Sequence, residues 1–155
     1  MFASVEQALS HLCTPAAGKA AIGRVFVIGG AQLYTDLLNL DSNLATVDKL
    51  LVTRILAPQY DCDAFFPEFR TREQYQAELE HARKILAAQS EASHAATAQE
   101  EPSELLKQQE WTQASTDSLR NYLGSACPAA LADSPVMVTS EGETWYEYQL
   151  WERKP

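Results

Sequence analysis

Apolar positions along the chain fall into two periods, one helical and one of strands. Across residues 4–12, Val5, Ala8, Leu9 and Leu12 recur at helical spacing behind Ser4, with Glu6 and Gln7 in the first turn. This predicts a short amphipathic helix with a serine cap. Residues 24–28 read RVFVI, a continuous β-branched and aromatic run closed by Gly29 and Gly30, which predicts a buried, parallel strand. Leu33, Tyr34, Leu37 and Leu38 share one face of a helix over 31–40 that follows the glycines directly. Residues 49–56, KLLVTRIL, predict a second apolar strand and complete a β-α-β unit with a right-handed crossover.

Residues 60–69, YDCDAFFPEF, combine aromatic density with a proline and predict a packed loop along a sheet edge. From Arg72 the character changes: Tyr75, Leu79, Ala82, Ile85 and Leu86 mark an amphipathic helix, and residues 90–102 carry no large apolar side chain. The stretch at about 71–109 therefore predicts a surface insertion, partly helical and partly disordered, within a single domain spanning 1–155. Order is expected to resume at Trp111. Residues 145–151, WYEYQLW, alternate Trp145, Glu147, Gln149 and Trp151 with Tyr146, Tyr148 and Leu150, a strand signature preceded by a turn at Glu141-Gly142-Glu143.

Composition narrows the function classes. The start of the chain lacks a basic region followed by an apolar run, and no stretch reaches the roughly 20 apolar residues that span a bilayer, so a soluble, cytoplasmic protein is expected. Cys13, Cys62 and Cys127 are widely spaced with no CxxC pair, as expected for free thiols in a reducing compartment without a metal. A net charge of -9 argues against nucleic acid or an anionic membrane as partner, because both need a basic face to displace counterions. A polyanionic cofactor needs local help, which backbone N–H groups at a helix start can supply.

That help has a candidate place. A strand ending in Gly29-Gly30 and feeding a helix puts bare backbone where α/β folds bind ligands, and the geometry suits a phosphate or diphosphate. A tight turn is the simpler reading of two glycines, and the spacing is not GxGxxG, so it gives no support to a Rossmann fold. Asp61 and Asp63 fit poorly as an acid/base pair. His11, His81 and His94 have no carboxylate or cysteine at a useful sequence spacing, so solvated surface histidines are expected.

The string GRVFVIGGAQLY, residues 23–34, resembles the stretch that dihydrofolate reductases place at the centre of their active site. Further matches follow in the family's order. KLLVTRI resembles the strand with the substrate-contacting threonine, DAFFPEF the aspartate-aromatic-proline loop, EWTQASTDSLRNYLG the fungal enzymes' penultimate strand and turn, and YEYQLWERK the C-terminal antiparallel strand.

The resemblance implies an α/β fold: a dihydrofolate-reductase-like, mostly parallel sheet with an antiparallel C-terminal strand. It implies NADPH as cofactor and dihydrofolate as substrate, in tetrahydrofolate synthesis and one-carbon metabolism. The backbone of Gly29, Gly30, Ala31, Gln32 and Leu33 would line the NADPH diphosphate, and a cis peptide is implied at Gly29-Gly30. Ile28 would present its carbonyl to the pteridine, Tyr34 would stand beside the nicotinamide, and Thr53 would anchor the network behind the pterin. Asp63 would support a mobile loop.

The departures are as informative. The family's proton-donor carboxylate, nicotinamide loop, folate-tail arginine and 2′-phosphate grip all precede the first matching residues, so the N-terminal half is expected to be missing and to act as a partner. No residue of this chain is therefore assigned a catalytic proton transfer, and the chain alone is expected to be inactive. The alternative is a truncated, non-catalytic protein that binds a nucleotide or a partner through the insertion. A pteridine or riboflavin-pathway reductase is disfavoured by Tyr34 and the C-terminal WYEYQLWERK.

Overall fold

The computed structural model describes residues 2, 4–13, 22–40, 45–89 and 111–154. The expected disorder of residues 90–102 and the setting of His94 lie outside these. The chain divides into two units, Met1–Val47 with Ala64–Pro67, and Asp48–Asp63 with Glu68–Pro155.

The first unit contains α1, Val5–Cys13, and α2, Ala31–Leu38. Helix α1 starts as its pattern requires, with the Ser4 hydroxyl accepting from the Gln7 N–H at 3.3 Å and Leu9 buried. Helix α2 buries Leu37 and Leu38. The run at residues 24–28 corrects the expectation of a buried parallel strand. It forms no strand, its side chains are exposed, and Ile28 is 93% exposed. A strand is defined by its ladder, and no described segment pairs with this run, so β propensity alone leaves it as extended coil. The β-α-β unit is consequently not formed among the described residues.

The second unit is built on an antiparallel sheet of β1, Lys49–Ala57, β2, Trp111–Gln113, β3, Val138–Glu141, and β4, Thr144–Arg153. Every pairing goes through β4, in the order β1-β4-β2 with β3 also on β4, and all three ladders are antiparallel. The expected mostly parallel sheet is thus not what the described residues form. The antiparallel C-terminal strand is found as predicted, and its hairpin turn places Gly142 at φ 59°.

The register sorts β1 and β4 into two faces. Leu50, Val52 and Arg54 lie opposite Trp151, Gln149 and Glu147, while Leu51, Thr53 and Ile55 lie opposite Leu150, Tyr148 and Tyr146. The first face receives α3, Arg72–Gln89, which buries Tyr75, Glu78, Ala82 and Leu86 along one stripe. On the second face Leu150 packs with Leu119, Leu131 and Met137 in a buried cluster. Leu119 belongs to α4, Thr116–Leu123, where a turn is expected. The Ser115 hydroxyl caps α4 by accepting from the Ser118 N–H at 3.1 Å, and Gly124 at φ 53° ends it, so a local start and stop signal outweigh the turn reading.

Candidate functional site

Gly29 and Gly30 form the junction into α2. The peptide between them is cis, as the resemblance implies. Gly29 has φ 127°, a conformation that L side chains rarely adopt, and a Cβ built there would lie 3.6 Å from the Tyr34 hydroxyl. Gly30 is the N-cap of α2, with no side-chain cap and no acidic residue in the first turn. The first helical bond is from the Tyr34 N–H to the Gly30 carbonyl at 3.1 Å. The N–H groups of Ala31, Gln32 and Leu33 therefore precede the intrahelical ladder and point from a positive dipole end. An uncapped, acid-free first turn behind two side-chain-free residues fits an anionic diphosphate.

Tyr34 is fixed by its neighbours. Its ring lies 5.0 Å from that of Phe66, from the predicted aromatic loop, and its hydroxyl returns over Gly29. In the first unit, then, the structure brings Gly29, Gly30 and Tyr34 together with Ile28 adjacent in the chain. Thr53 belongs to the second unit. It sits on β1 between Leu51 and Ile55, and all three face outward as an exposed stripe. Asp61 and Asp63 lie exposed in the loop after β1.

A polar cluster that sequence reasoning missed occupies the opposite face of the same strand. Arg54 Nη1 donates to Glu78 Oε2 at 2.6 Å, and Arg70 Nη1 donates to that same oxygen. Arg70 also donates to both oxygens of Glu68, at 2.6 and 2.7 Å. Burial pushes the Glu68 carboxyl up, yet the hydrogen bonds and charge of Arg70 outweigh it and hold the carboxyl below its usual range. Burial likewise lowers Arg70, and Glu68 and Glu78 together more than offset it.

A second chain of bonds runs along β4. Trp151 Nε1 donates to Gln149 Oε1 at 3.0 Å, Gln149 Nε2 donates to Glu147 Oε2 at 2.9 Å, and His81 Nε2 lies 3.1 Å from Glu147 Oε1. His81 is exposed, as expected, but it has a carboxylate partner that its sequence spacing did not show. The two residues are 66 positions apart and meet only through the packing of α3 on β4. One signal for Glu78 was present, since it lies three residues after Tyr75 on the buried stripe of α3.

A family model described as dihydrofolate reductase matches residues 1–100. The dihydrofolate reductase of Cryptococcus neoformans var. neoformans serotype D (strain JEC21) is 35% identical over 85 residues, covering 44% of this chain and 36% of that protein. A viral dihydrofolate reductase of Saimiriine herpesvirus 2 (strain 488) is 45% identical over 47 residues, covering 30% of this chain and 20% of that protein. The chain thus spans little more than a third of the length of these relatives at most.

Proposed function

The chain belongs to the dihydrofolate reductase family, and from that membership we propose that it works in the NADPH-dependent reduction of 7,8-dihydrofolate to 5,6,7,8-tetrahydrofolate, a step of one-carbon metabolism. The observation that carries this reading is the start of α2, where Gly29 and Gly30 present bare backbone to an uncapped first turn free of acids. In this reading the N–H groups of Ala31, Gln32 and Leu33 hold the cofactor's diphosphate, for which a helix N-terminus suffices without any Lys or Arg. Tyr34, held between Phe66 and Gly29, stands beside the nicotinamide. The carbonyl of Ile28, a residue 93% exposed, accepts from the pteridine; Thr53, exposed on β1 in the second unit, is assigned a hydrogen-bonding role toward the substrate on the family resemblance alone.

When bound, NADPH supplies the hydride that C6 of dihydrofolate receives. The proton for N5 is assigned to no residue of this chain, because none of its matched motifs carries the family's proton-donor carboxylate. Turnover in this reading requires the portion of such an enzyme that the chain does not match, as a partner that brings the proton donor.

The test is an NADPH titration followed by amide NMR. Helix α4 is the internal control: it also has eight residues but carries the Ser115 cap and Asp117 in its first turn. The reading expects saturable shifts at the amides of residues 29–34 and none at 116–118. Shifts confined to α4, or none at 29–34, would overturn the cofactor role.

A further inference from the structure

Strand β1 is an edge of its sheet: among the described residues it pairs with β4 alone. The Arg153 N–H donates to the Asp48 carbonyl at 3.0 Å, one step beyond the Lys49–Glu152 pair of the ladder. Hydrogen-bonded and non-bonded pairs alternate along antiparallel strands, so Leu50, Val52 and Arg54 turn their backbone groups to β4. Those of Lys49, Leu51, Thr53 and Ile55 point outward from the free edge.

A row of open N–H and C=O groups is a template for another strand, and proteins ordinarily block it with charges, prolines or bulges. Between Leu50 and Ile55 no such block stands on this edge. Arg54, the one charge there, belongs to the α3 face and is held by Glu78 at 2.6 Å. Leu51, Thr53 and Ile55 belong to the opposite face and are exposed, Leu51 and Ile55 by 48% and 50%.

The pattern also reads the same in both directions about Thr53, the middle residue of a nine-residue strand. An antiparallel copy aligned on that residue sets Leu51 against Ile55 of the second copy, Thr53 against Thr53, and Ile55 against Leu51. All of these are outward-facing residues, so they form the hydrogen-bonded pairs of the new ladder, with a threonine pair on the axis and apolar pairs on either side. Moving the axis to Arg54 would set two guanidiniums opposite each other, and moving it to Val52 would set Lys49 against Ile55.

We infer that β1 is a dimerisation edge, through which two copies of this chain join their sheets antiparallel about a two-fold axis at Thr53. A second copy is the occupant the pattern specifies, because an identical strand brings apolar side chains to Leu51 and Ile55 with a threonine between them. Residues 24–28, the other extended run with exposed apolar side chains, would put Phe26 against Thr53 when centred on it. The inference goes beyond the reductase reading and does not rest on it, since it uses the edge and register of β1 and not the start of α2.

The experiment is analytical ultracentrifugation of the purified chain over a range of concentrations, with oxidative cross-linking of single-cysteine substitutions. The mass should rise from one chain toward two, and more readily at higher salt, since two chains of net charge -9 repel while no ion pair forms across the axis. Thr53→Lys, an exposed position, should hold the chain monomeric by placing like charges opposite each other, whereas Phe26→Lys should leave the dimer intact. Thr53→Cys should give a disulfide between the two introduced thiols, because opposite residues of a hydrogen-bonded pair lie about 5.5 Å apart at Cα. Leu51→Cys should give no such bond, its copy lying roughly 13 Å away along the strands. Digestion and mass spectrometry tell these bonds from those of the native thiols. A native chain that stays monomeric at every concentration, a dimer that survives Thr53→Lys, a dimer lost in Phe26→Lys, or a disulfide at position 51 and not at 53 would each overturn the inference.

Discussion

Glu78 on α3 accepts a 2.6 Å hydrogen bond from Arg54 on β1, so the helix is tied to the residue next to Thr53. Arg54 and Thr53 point to opposite faces of the strand, as pleating demands. The buried charge cluster on one face therefore holds the backbone that presents Thr53 on the other.

Removing Glu78 should cost far more than removing a surface carboxylate. Glu78→Ala leaves Arg54 and Arg70 facing each other without their shared acceptor, and breaking a buried pair this way costs about 3 kcal/mol or more. Glu152→Ala removes a half-exposed partner of Lys49 and should cost under about 1 kcal/mol. Urea unfolding midpoints of the two variants check the contrast, and equal shifts would contradict it.

Acid should weaken the second unit partly through Glu68. Its folded pKa is lowered, so its contribution to stability is present above the unfolded carboxylate value, about 4.3, and is lost as pH falls through the folded value. Glu68→Gln should flatten the part of the stability curve between those two values. Urea midpoints measured on the acid side of neutrality read this, and parallel curves for variant and parent would count against it.

Truncation at the centre of β4 should be severe. Leu150 is almost fully buried against Leu119, Leu131 and Met137, so Leu150→Ala should cost about 2 to 5 kcal/mol. Leu51→Ala, on the open part of the same face, should cost much less, since Leu51 is half exposed. Paired urea melts decide between them.

Gly29→Ala should strain the junction into α2. The positive φ, rather than any clash, sets the cost, because the added Cβ meets the Tyr34 hydroxyl only at ordinary contact distance. About 1 to 3 kcal/mol is expected, seen as faster amide exchange in the first turn of α2. Unchanged exchange there would show that the backbone relaxes freely.

Elements whose stability is local were legible in the sequence. Helices α1, α2 and α3 follow from apolar spacing, α1 with its serine cap as well, and β4 follows from its two alternating sets of residues in a hairpin with Gly142 in its turn. The cis junction at Gly29-Gly30 was implied by the family resemblance rather than by the glycine pair itself, and the contact of Tyr34 with Phe66 was not legible because it joins residues far apart in the chain. Residues 24–28 read as a buried strand because RVFVI has the composition of one, but burial depends on neighbours that composition does not name. The same limit hid His81 with Glu147 and Glu78 with Arg54. Each pair joins residues far apart in sequence, brought together when one stripe of α3 settles on one face of β1 and β4.

The most direct test follows dihydrofolate-dependent oxidation of NADPH by the purified chain, alone and mixed with a separately made N-terminal portion of the Cryptococcus relative. The account predicts turnover only in the mixture, and its loss when the chain carries Gly29→Ala. Turnover by the chain alone, or turnover in the mixture that Gly29→Ala leaves intact, would contradict it.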